Sequence, residues 1–411
     1  MSKSQMIGAA ALWLAAIPLA TATSAPSALS LQALETRAVQ RDERPHEMAA
    51  MLEAAQARIE TAAELPDPRL RLGLNNLPVD SFRLDQADMT QVAVGVQQRF
   101  PAGRTRALRR ERADTEAATV AARLQRSERE VRREVRTAWL EGHAATARLT
   151  LLEALQPVRQ RTVAVTEAAY AAGQGAQAEV RAAQLELTAL AEQALASRGQ
   201  REAARARLER WLDPGERIEW DEALPALLRE LPRGEVARHP ELQELNARGA
   251  GAAVAVDLAR EAYKPDWGIE AGYGFRDGRA DFISFGVDIA LPFFTERRQD
   301  PALLAAERER LAVGHAAANR DRELSTRFAA LRATADALQA RLALYDAEIL
   351  PQRLALTQVT RTDYQSGRGA LRAVLEAEAA EIEARLRRLE LEVERAGQII
   401  EVRYLAGETP A

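Results

Sequence analysis

The chain has 411 residues and a formal net charge of −4, and it is 47% hydrophobic but only 5% aromatic, with no Cys. Near-neutral charge excludes the one-sided basic excess that a phosphate surface needs, so no nucleic-acid partner is expected. The missing Cys excludes disulfides, thiolate metal sites and a lipidated N-terminal Cys. Lys occurs only at 3 and 264, and the arginines interleave with glutamates, which is the pattern of solvated helix faces laced with pairs at i and i+4.

Residues 1–25 are predicted to be an export signal: Lys3 supplies a positive start, Met6 to Ala20 is mostly apolar, and Ala20-Thr-Ala22 or Thr23-Ser-Ala25 offers a small-residue cleavage site. No other run approaches the ~18 uncharged apolar residues of a membrane helix. The remainder is written twice. Tyr170-Ala-Ala-Gly173-Gln-Gly175 returns as Tyr364-Gln-Ser-Gly367-Arg-Gly369, and Pro157 as Pro351; Pro66-Asp67, Phe100-Pro101 and Trp211-Leu212 are echoed by Pro265-Asp266, Leu291-Pro292 and Tyr404-Leu405. The period is far longer than a solenoid unit and marks a duplication building a pseudo-symmetric object. Its bounds are a first repeat at 26–215, a linker at 216–235 and a second repeat at 236–411.

Within each repeat a period-two segment comes first. Leu70, Leu72 and Leu74 alternate with Arg69, Arg71 and Gly73, and Val92, Val94 and Val96 with Ala93, Gly95 and Gln97. In the second copy Trp267, Ile269, Ala271, Tyr273 and Phe275 alternate with Gly268, Glu270, Gly272 and Gly274, then Ile283, Phe285, Val287, Ile289 and Leu291 with Ser284, Gly286, Asp288 and Ala290. These are two β-hairpins, 68–100 and 266–292, joined by polar loops at 78–88 and 276–281. Strands of ~9 to 11 residues with one apolar and one polar or glycine face carry the signature of an outer-membrane barrel, and no sequence is left over to cover the apolar faces. Trp267, Tyr273, Phe275, Phe285 and Val287, with Phe282 near them, are expected to face lipid. Four strands cannot close a barrel, so several copies must contribute.

Long helices follow. Apolar or small residues fall in a 4-3-4-3 rhythm through Ala113, Ala117, Val120, Leu124, Val131 and Val135, through Leu187, Leu190, Ala194, Ala204, Leu208 and Trp211, and again at 328–349 and 382–400. Such seams have a 3.5-residue period. Between Pro101 and Tyr170, and between Pro292 and Tyr364, the helices would each be roughly 100 Å long, with Pro157 and Pro351 bending them at matched depths. The segments near 170–176 and 364–370 then read as tight turns at hairpin tips.

Ligand chemistry is thin. His46, His143, His239 and His315 share no metal-ligand spacing; Met48 and Met51, at i and i+3, suit seam packing better than copper ligation; Gly367-Arg-Gly369 lacks the Lys-Ser/Thr of a P-loop. No cofactor is expected, and no nucleophile and base stand at usable spacing, so the chain is not read as an enzyme. Glu179, Glu376 and Glu378 are either rings at a tunnel mouth or members of salt bridges.

The doubled order of helix, β-hairpin, very long helix, Gly-tipped turn and return helix resembles the TolC-like outer-membrane efflux protein family over essentially the whole mature chain. Leu65-Pro-Asp-Pro68, Tyr263-Lys-Pro-Asp266, Phe100-Pro101, Leu291-Pro-Phe-Phe294 and the tips at Tyr170 and Tyr364 are all similar to that family's pattern. Asn76-Leu-Pro-Val-Asp80, Met89-Thr90 and Gln97-Gln98-Arg99-Phe100-Pro101 resemble its heavy-metal cation efflux subgroup, of the CzcC/CusC type. The resemblance implies a mainly α homotrimer with a twelve-stranded β-barrel continued by an α-helical barrel. It would sit in the outer membrane of a Gram-negative bacterium, in contact with lipid, and extend into the periplasm. There it would serve as a passive exit duct, docking a periplasmic adaptor at Tyr170, Gly173, Gly175, Tyr364, Gly367 and Gly369 and working with an inner-membrane pump. Heavy-metal cations are the expected cargo. A duct for drugs and other organic compounds or for secreted proteins, or a periplasmic coiled-coil interaction protein, are the alternatives.

Overall fold

The computed structural model describes residues 29–220 and 223–406, and the predicted signal peptide at 1–25 lies outside the described residues. Two short helices open the described residues, α1 (Leu31–Arg41) and α2 (Glu43–Ala62). Ser30 and Asp42 cap them, each side-chain oxygen accepting an orphan backbone N–H, from Ala33 and Arg44 respectively. The first hairpin, β1 (Arg69–Asn75) and β2 (Gln91–Phe100), leads into α3 (Thr105–Ala171) and the return helix α4 (Gln177–Glu209). A linker carrying the one-turn α5 (Ala226–Arg229) precedes the second copy: α6 (Pro240–Glu261), β3 (Asp266–Phe275), β4 (Phe282–Ala290), α7 (Gln299–Leu344), α8 (Leu350–Gln365) and α9 (Leu371–Ala406).

The predicted hairpins stand, with a longer first loop than expected because β1 ends at Asn75, which has a left-handed neighbour, Asn76, at φ +54°. The helix α3 runs unbroken through Pro157 for 67 residues, roughly 100 Å. Its counterpart is interrupted: Tyr345–Ile349 forms one turn of π-helix immediately before Pro351. The wider turn relaxes the i→i−4 ladder where proline has no N–H to give.

Ion pairs mark which helices lie side by side. Along α3, Arg44–Glu134 and Arg123–Glu244 tie α2 and α6 to its N-terminal half, while Arg159–Glu186 and Arg148–Glu390 tie α4 and α9 to its C-terminal half. Arg260–Glu307 and Arg320–Glu241 join α6 to α7, and Arg388–Asp346 and Arg361–Glu378 join α9 to the π-turn and α8. Four full-length rods result, in the order α2 with α4, then α3, then α6 with α9, then α7 with α8. Two rods are single long stretches of chain; the other two are composites of two helices meeting end to end.

The composite joints match between the copies. Asp42, the N-cap of α2, accepts a hydrogen bond of 3.2 Å from the indole Nε1 of Trp211 at the end of α4. His239, the N-cap of α6, meets the ring of Tyr404 near the end of α9 edge-on, with centroids 5.2 Å apart. The echo of Trp211-Leu212 in Tyr404-Leu405 is therefore a joint used twice. Around the first joint lies the largest apolar core, where Leu34, Ala38, Val131, Val135, Trp139, Leu208 and Leu228 are buried between α1, α3, α4 and the linker. The seam residues Ala113, Ala117, Leu190, Ala204 and Leu208 are buried as the rhythm predicted, while Val120, Leu124 and Leu187 are half-buried.

The second joint carries a titratable group. His239 is fully buried; its Nδ1 accepts the Glu241 N–H at 3.3 Å, and its Nε2 has no protein partner. Burial lowers its pKa from 6.5 to about 4; Glu241 opposes the shift, and Arg129, Arg320 and Arg126 reinforce it. The unfolded chain thus takes up a proton that the folded joint refuses, so stability is full above the ordinary histidine pKa and declines as pH falls from about 6.5 to 4. Loss on the order of 2–3 kcal/mol is expected over that window. His239→Asn keeps an N-cap acceptor but does not titrate. Its thermal midpoint in detergent should fall less than wild type between pH 7 and 4.5, and equal slopes would show that another group sets the acid sensitivity.

Candidate functional site

The four strands form one antiparallel sheet in the order β1-β2-β3-β4. The register aligns the two hairpins: Leu72 faces Val94, Val94 faces Tyr273 and Tyr273 faces Ile283. One face therefore carries Leu70, Leu72, Leu74, Val92, Val94, Val96, Trp267, Ile269, Tyr273, Phe275, Ile283, Phe285, Val287 and Ile289, every one exposed. Phe285 is 84% accessible and Val287 69%, values no soluble sheet tolerates along a whole face. Trp267 stacks on Phe100 at 4.4 Å at the end of the sheet nearest the helices, where an aromatic suits a membrane–water boundary.

The opposite face is polar. Arg71 of β1 pairs with Glu270 of β3 at 3.1 Å and donates to Gln97 of β2 at 3.4 Å, a brace spanning three strands. Glycines 95, 268, 272, 274 and 286 thin the rest. Trp267, Tyr273, Phe275, Phe285 and Val287 share the apolar face as the alternation required. Phe282 does not. It opposes Gly274, which places it on the polar face, and the Arg276 guanidinium lies 3.9 Å above its ring. The period of two sets its side, and the preference of aromatics for strand ends does not override it.

Both sheet edges, β1 and β4, lack a neighbour among the described residues. The helical layer ends in the same way, with exposed Leu185 and Leu195 on α4 at one margin and exposed Leu304, Leu311, Leu344, Leu354, Leu356 and Val359 on α7 and α8 at the other. Strand and helix layers thus present complementary unfinished margins.

The hairpin tips are copies of one turn. Gly173 donates to the Tyr170 carbonyl at 3.0 Å and Gln174 to Ala169 at 2.9 Å; Gly367 donates to Tyr364 at 3.0 Å and Arg368 to Asp363 at 2.9 Å. This double bond is a Schellman cap, and it requires the left-handed backbone of Gly173 and Gly367, at φ +72° and +75°. The second glycines serve closeness instead: a Cβ on Gly175 or Gly369 would sit 3.4 or 3.1 Å from the backbone nitrogen of Tyr170 or Tyr364. Tyr170 and Tyr364 are about half exposed beside these turns.

Behind the tips the acidic residues are partnered within the chain. Glu179 and Glu376 both meet Arg372, at 3.3 and 2.9 Å, and Glu378 lies between Arg361 at 2.7 Å and Arg161 at 3.6 Å. All three glutamates take part in ion pairs within the chain. Arg161 and Arg372 link the first hairpin to the second, a role that no spacing in the sequence announces. Met48 and Met51 line a cavity of about 570 Å³ with Arg44, Arg123, Arg126 and Glu244; Glu244 is held there by Arg123, Arg126 and Arg248. Among the described residues there is no grouping of three or more His, Cys, Asp or Glu that could hold a metal, and no helix long and apolar enough to cross a membrane.

Known proteins share this geometry. Residues 36–212 match the model of the outer membrane efflux protein family. Among solved structures, CusC superposes with a TM-score of 0.71 at 16% identity, covering 92% of each chain. VceC of Vibrio cholerae gives 0.71 at 19% identity, over 92% of this chain and 96% of that one; MtrE of Neisseria gonorrhoeae, an outer membrane channel in its open state, gives 0.70 at 17%, over 92% and 88%. A search among curated protein sequences returns no match. The family model thus matches the first hairpin and the long helices after it, and the fold of the solved channels spans both halves of the chain.

Proposed function

We propose that three copies of this chain assemble into a passive duct through the outer membrane and periplasm. The observation that supports it best is the sheet: a continuous apolar face backed by a polar one, with two unpaired edges. In hydrocarbon, an open edge leaves several N–H and C=O groups without partners, each costing several kcal/mol, so β4 of one copy must pair with β1 of the next. Three copies give twelve strands, which leave a lumen lined by the Arg71, Gln97 and Glu270 face. The exposed margins of α4 and of α7 with α8 would meet in the same operation, closing the rods into a tube. A periplasmic coiled-coil protein would share the rods but has no use for such a sheet.

The tips at Gly173, Gly175, Gly367 and Gly369, with Tyr170 and Tyr364 beside them, are proposed to meet a periplasmic adaptor that couples the duct to an inner-membrane pump. Glu179, Glu376 and Glu378 belong to this end as structural ion-pair members. Heavy-metal cations remain the proposed cargo on the likeness of residues 76–101 to the cation-efflux subgroup. Without a metal-holding cluster in the described wall, selectivity falls to the pump. An organic cargo is the second reading, and the same wall serves it.

Three outcomes test these proposals. Val287→Arg places a charge on the lipid face and should cost ~2–4 kcal/mol near the midplane, depleting the heat-modifiable trimer; wild-type trimer levels in the outer membrane would refute the barrel. Gly367→Val puts a β-branched residue at φ +75°, at a local cost of about 1–2 kcal/mol, and should abolish export while leaving membrane insertion intact. Deletion of the gene should sensitise cells to copper, zinc, cobalt or cadmium salts. Unchanged metal tolerance with new dye or detergent sensitivity would move the cargo to organic compounds.

A further inference from the structure

The connection between β1 and β2, residues 76–90, is long, yet it is tied down at several points. Its base is closed by Asn76 and Thr90: the Asn76 side chain donates to the Met89 carbonyl at 3.1 Å, and the Thr90 hydroxyl donates to the Asn76 carbonyl at 2.7 Å. Its second half is held from the other hairpin's loop. Arg276 donates to the Asp88 carbonyl at 2.9 Å; Arg279 donates to the Asp85 carbonyl at 3.2 Å and pairs with the Asp88 carboxylate at 2.7 Å. Arg276 also covers Phe282, which lies on the polar face, so this bracing runs along the side of the sheet that faces the lumen.

The first half of the same loop presents apolar side chains to nothing. Val79 is 85% exposed and Phe82 70%. Phe82 is moreover held at φ +53°, with its N–H donating to the Pro78 carbonyl at 2.9 Å. A bulky residue in the left-handed region is strained, and such strain persists only where the surroundings impose it. Here the strained backbone projects a ring into open space.

We propose that this loop is a lid: pinned along the lumenal side by Arg276 and Arg279, it leans over the outer mouth, where Phe82 and Val79 meet the same residues of the other copies in an apolar plug. The lengths allow it. Twelve strands at ~4.8 Å spacing and ~40° tilt give a barrel radius on the order of 12 Å. Phe82 lies six residues from the base at Asn76 and three from the pinned Asp85, spans of roughly 20 and 10 Å when extended at ~3.3 Å per residue; half of the 276–281 loop reaches only about 10 Å. The longer loop can therefore reach the axis, and the shorter one serves as its anchor. The second copy is the occupant that symmetry supplies at the axis, so the lid rests on the trimeric channel reading above.

The absence of Cys makes the test clean. Phe82→Cys in outer-membrane channels should give covalent dimers on mild oxidation, because a disulfide requires Cα atoms within about 7 Å. Asp277→Cys in the short loop should stay monomeric under the same conditions. The Arg276→Ala/Arg279→Ala double variant should raise single-channel conductance in planar bilayers at least twofold. Phe82→Gly, which removes the ring and suits the left-handed backbone, should do the same. The lid is overturned if the Phe82→Cys variant stays monomeric yet reacts with a membrane-impermeant maleimide on intact cells, if the Asp277→Cys variant crosslinks equally, or if conductance is unchanged in both the double-alanine and the Phe82→Gly variants. A wild-type protein that neither conducts nor fractionates with the outer membrane would fail the channel reading instead, and the lid with it.

Discussion

A strand edge has nowhere to send its backbone hydrogen bonds inside a hydrocarbon layer, and this constraint organises the rest of the molecule. The apolar face from Leu70 to Ile289 demands lipid or a large cover, and the described chain holds no element to supply the cover. Once the sheet is placed in lipid, the free edges of β1 and β4 force pairing between copies, and pairing between copies dictates what the helices must do. In the proposed trimer each copy would occupy a wedge, and its rods would also end in margins that fit the next wedge. The exposed leucines on α4 and on α7 and α8 stand where that requirement puts them.

Duplication meets the length requirement with little invention. A single helix as long as α3 is feasible, but a complete layer of such rods from one chain would need turns at both ends of each. Instead, the return helices α4 and α9 stop midway and the short helices α2 and α6 continue their lines toward the sheet. The joints Asp42 with Trp211 and His239 with Tyr404 place an aromatic against a helix N-cap residue whose own side chain accepts an orphan N–H, from Arg44 and from Glu241 respectively. The copies diverged chemically: Asp42, hydrogen-bonded by Arg44, has its pKa lowered to about 2 and stays anionic, whereas the buried His239 stays neutral.

Much of this was legible in the residues. Period two placed both hairpins and assigned their sides, Phe282 included, where only the preference of aromatics for the lipid belt misled; glycines 173 and 367 marked turns that need positive φ; the 3.5-residue rhythm found the seams. Such features are written locally, by spacing or by a residue type with no substitute. The composite rods were not legible, because end-to-end stacking leaves no periodic trace and Trp211 and Asp42 lie far apart in sequence. Neither were the cross-hairpin pairs of Arg161 and Arg372: in a chain crowded with arginine and glutamate, nothing local distinguishes a partner across the molecule from one four residues away. The strain at Phe82 was not legible either, since it exists only once the backbone is placed.

Cohesion also changes character along the rods. Near the equator the layer is held by a large buried core with Leu34, Val131, Trp139 and Leu208, each worth about 1.5–3 kcal/mol in burial. Toward the tips the buried cluster contracts to Leu152, Leu155, Val158, Leu190, Leu375 and Ala379, and alongside it the hairpins are joined by pairs such as Arg372–Glu179 and Arg161–Glu378. Their arginines are more than half exposed, which limits each pair to roughly 0–1 kcal/mol. The middle of the molecule is therefore fixed by apolar burial, while the ends of the hairpins are held by contacts that solvent can replace one at a time. In the proposed duct, whose far end would accept an adaptor, that gradient would keep the rods rigid where they set the bore and the Schellman-capped turns compliant where the adaptor docks.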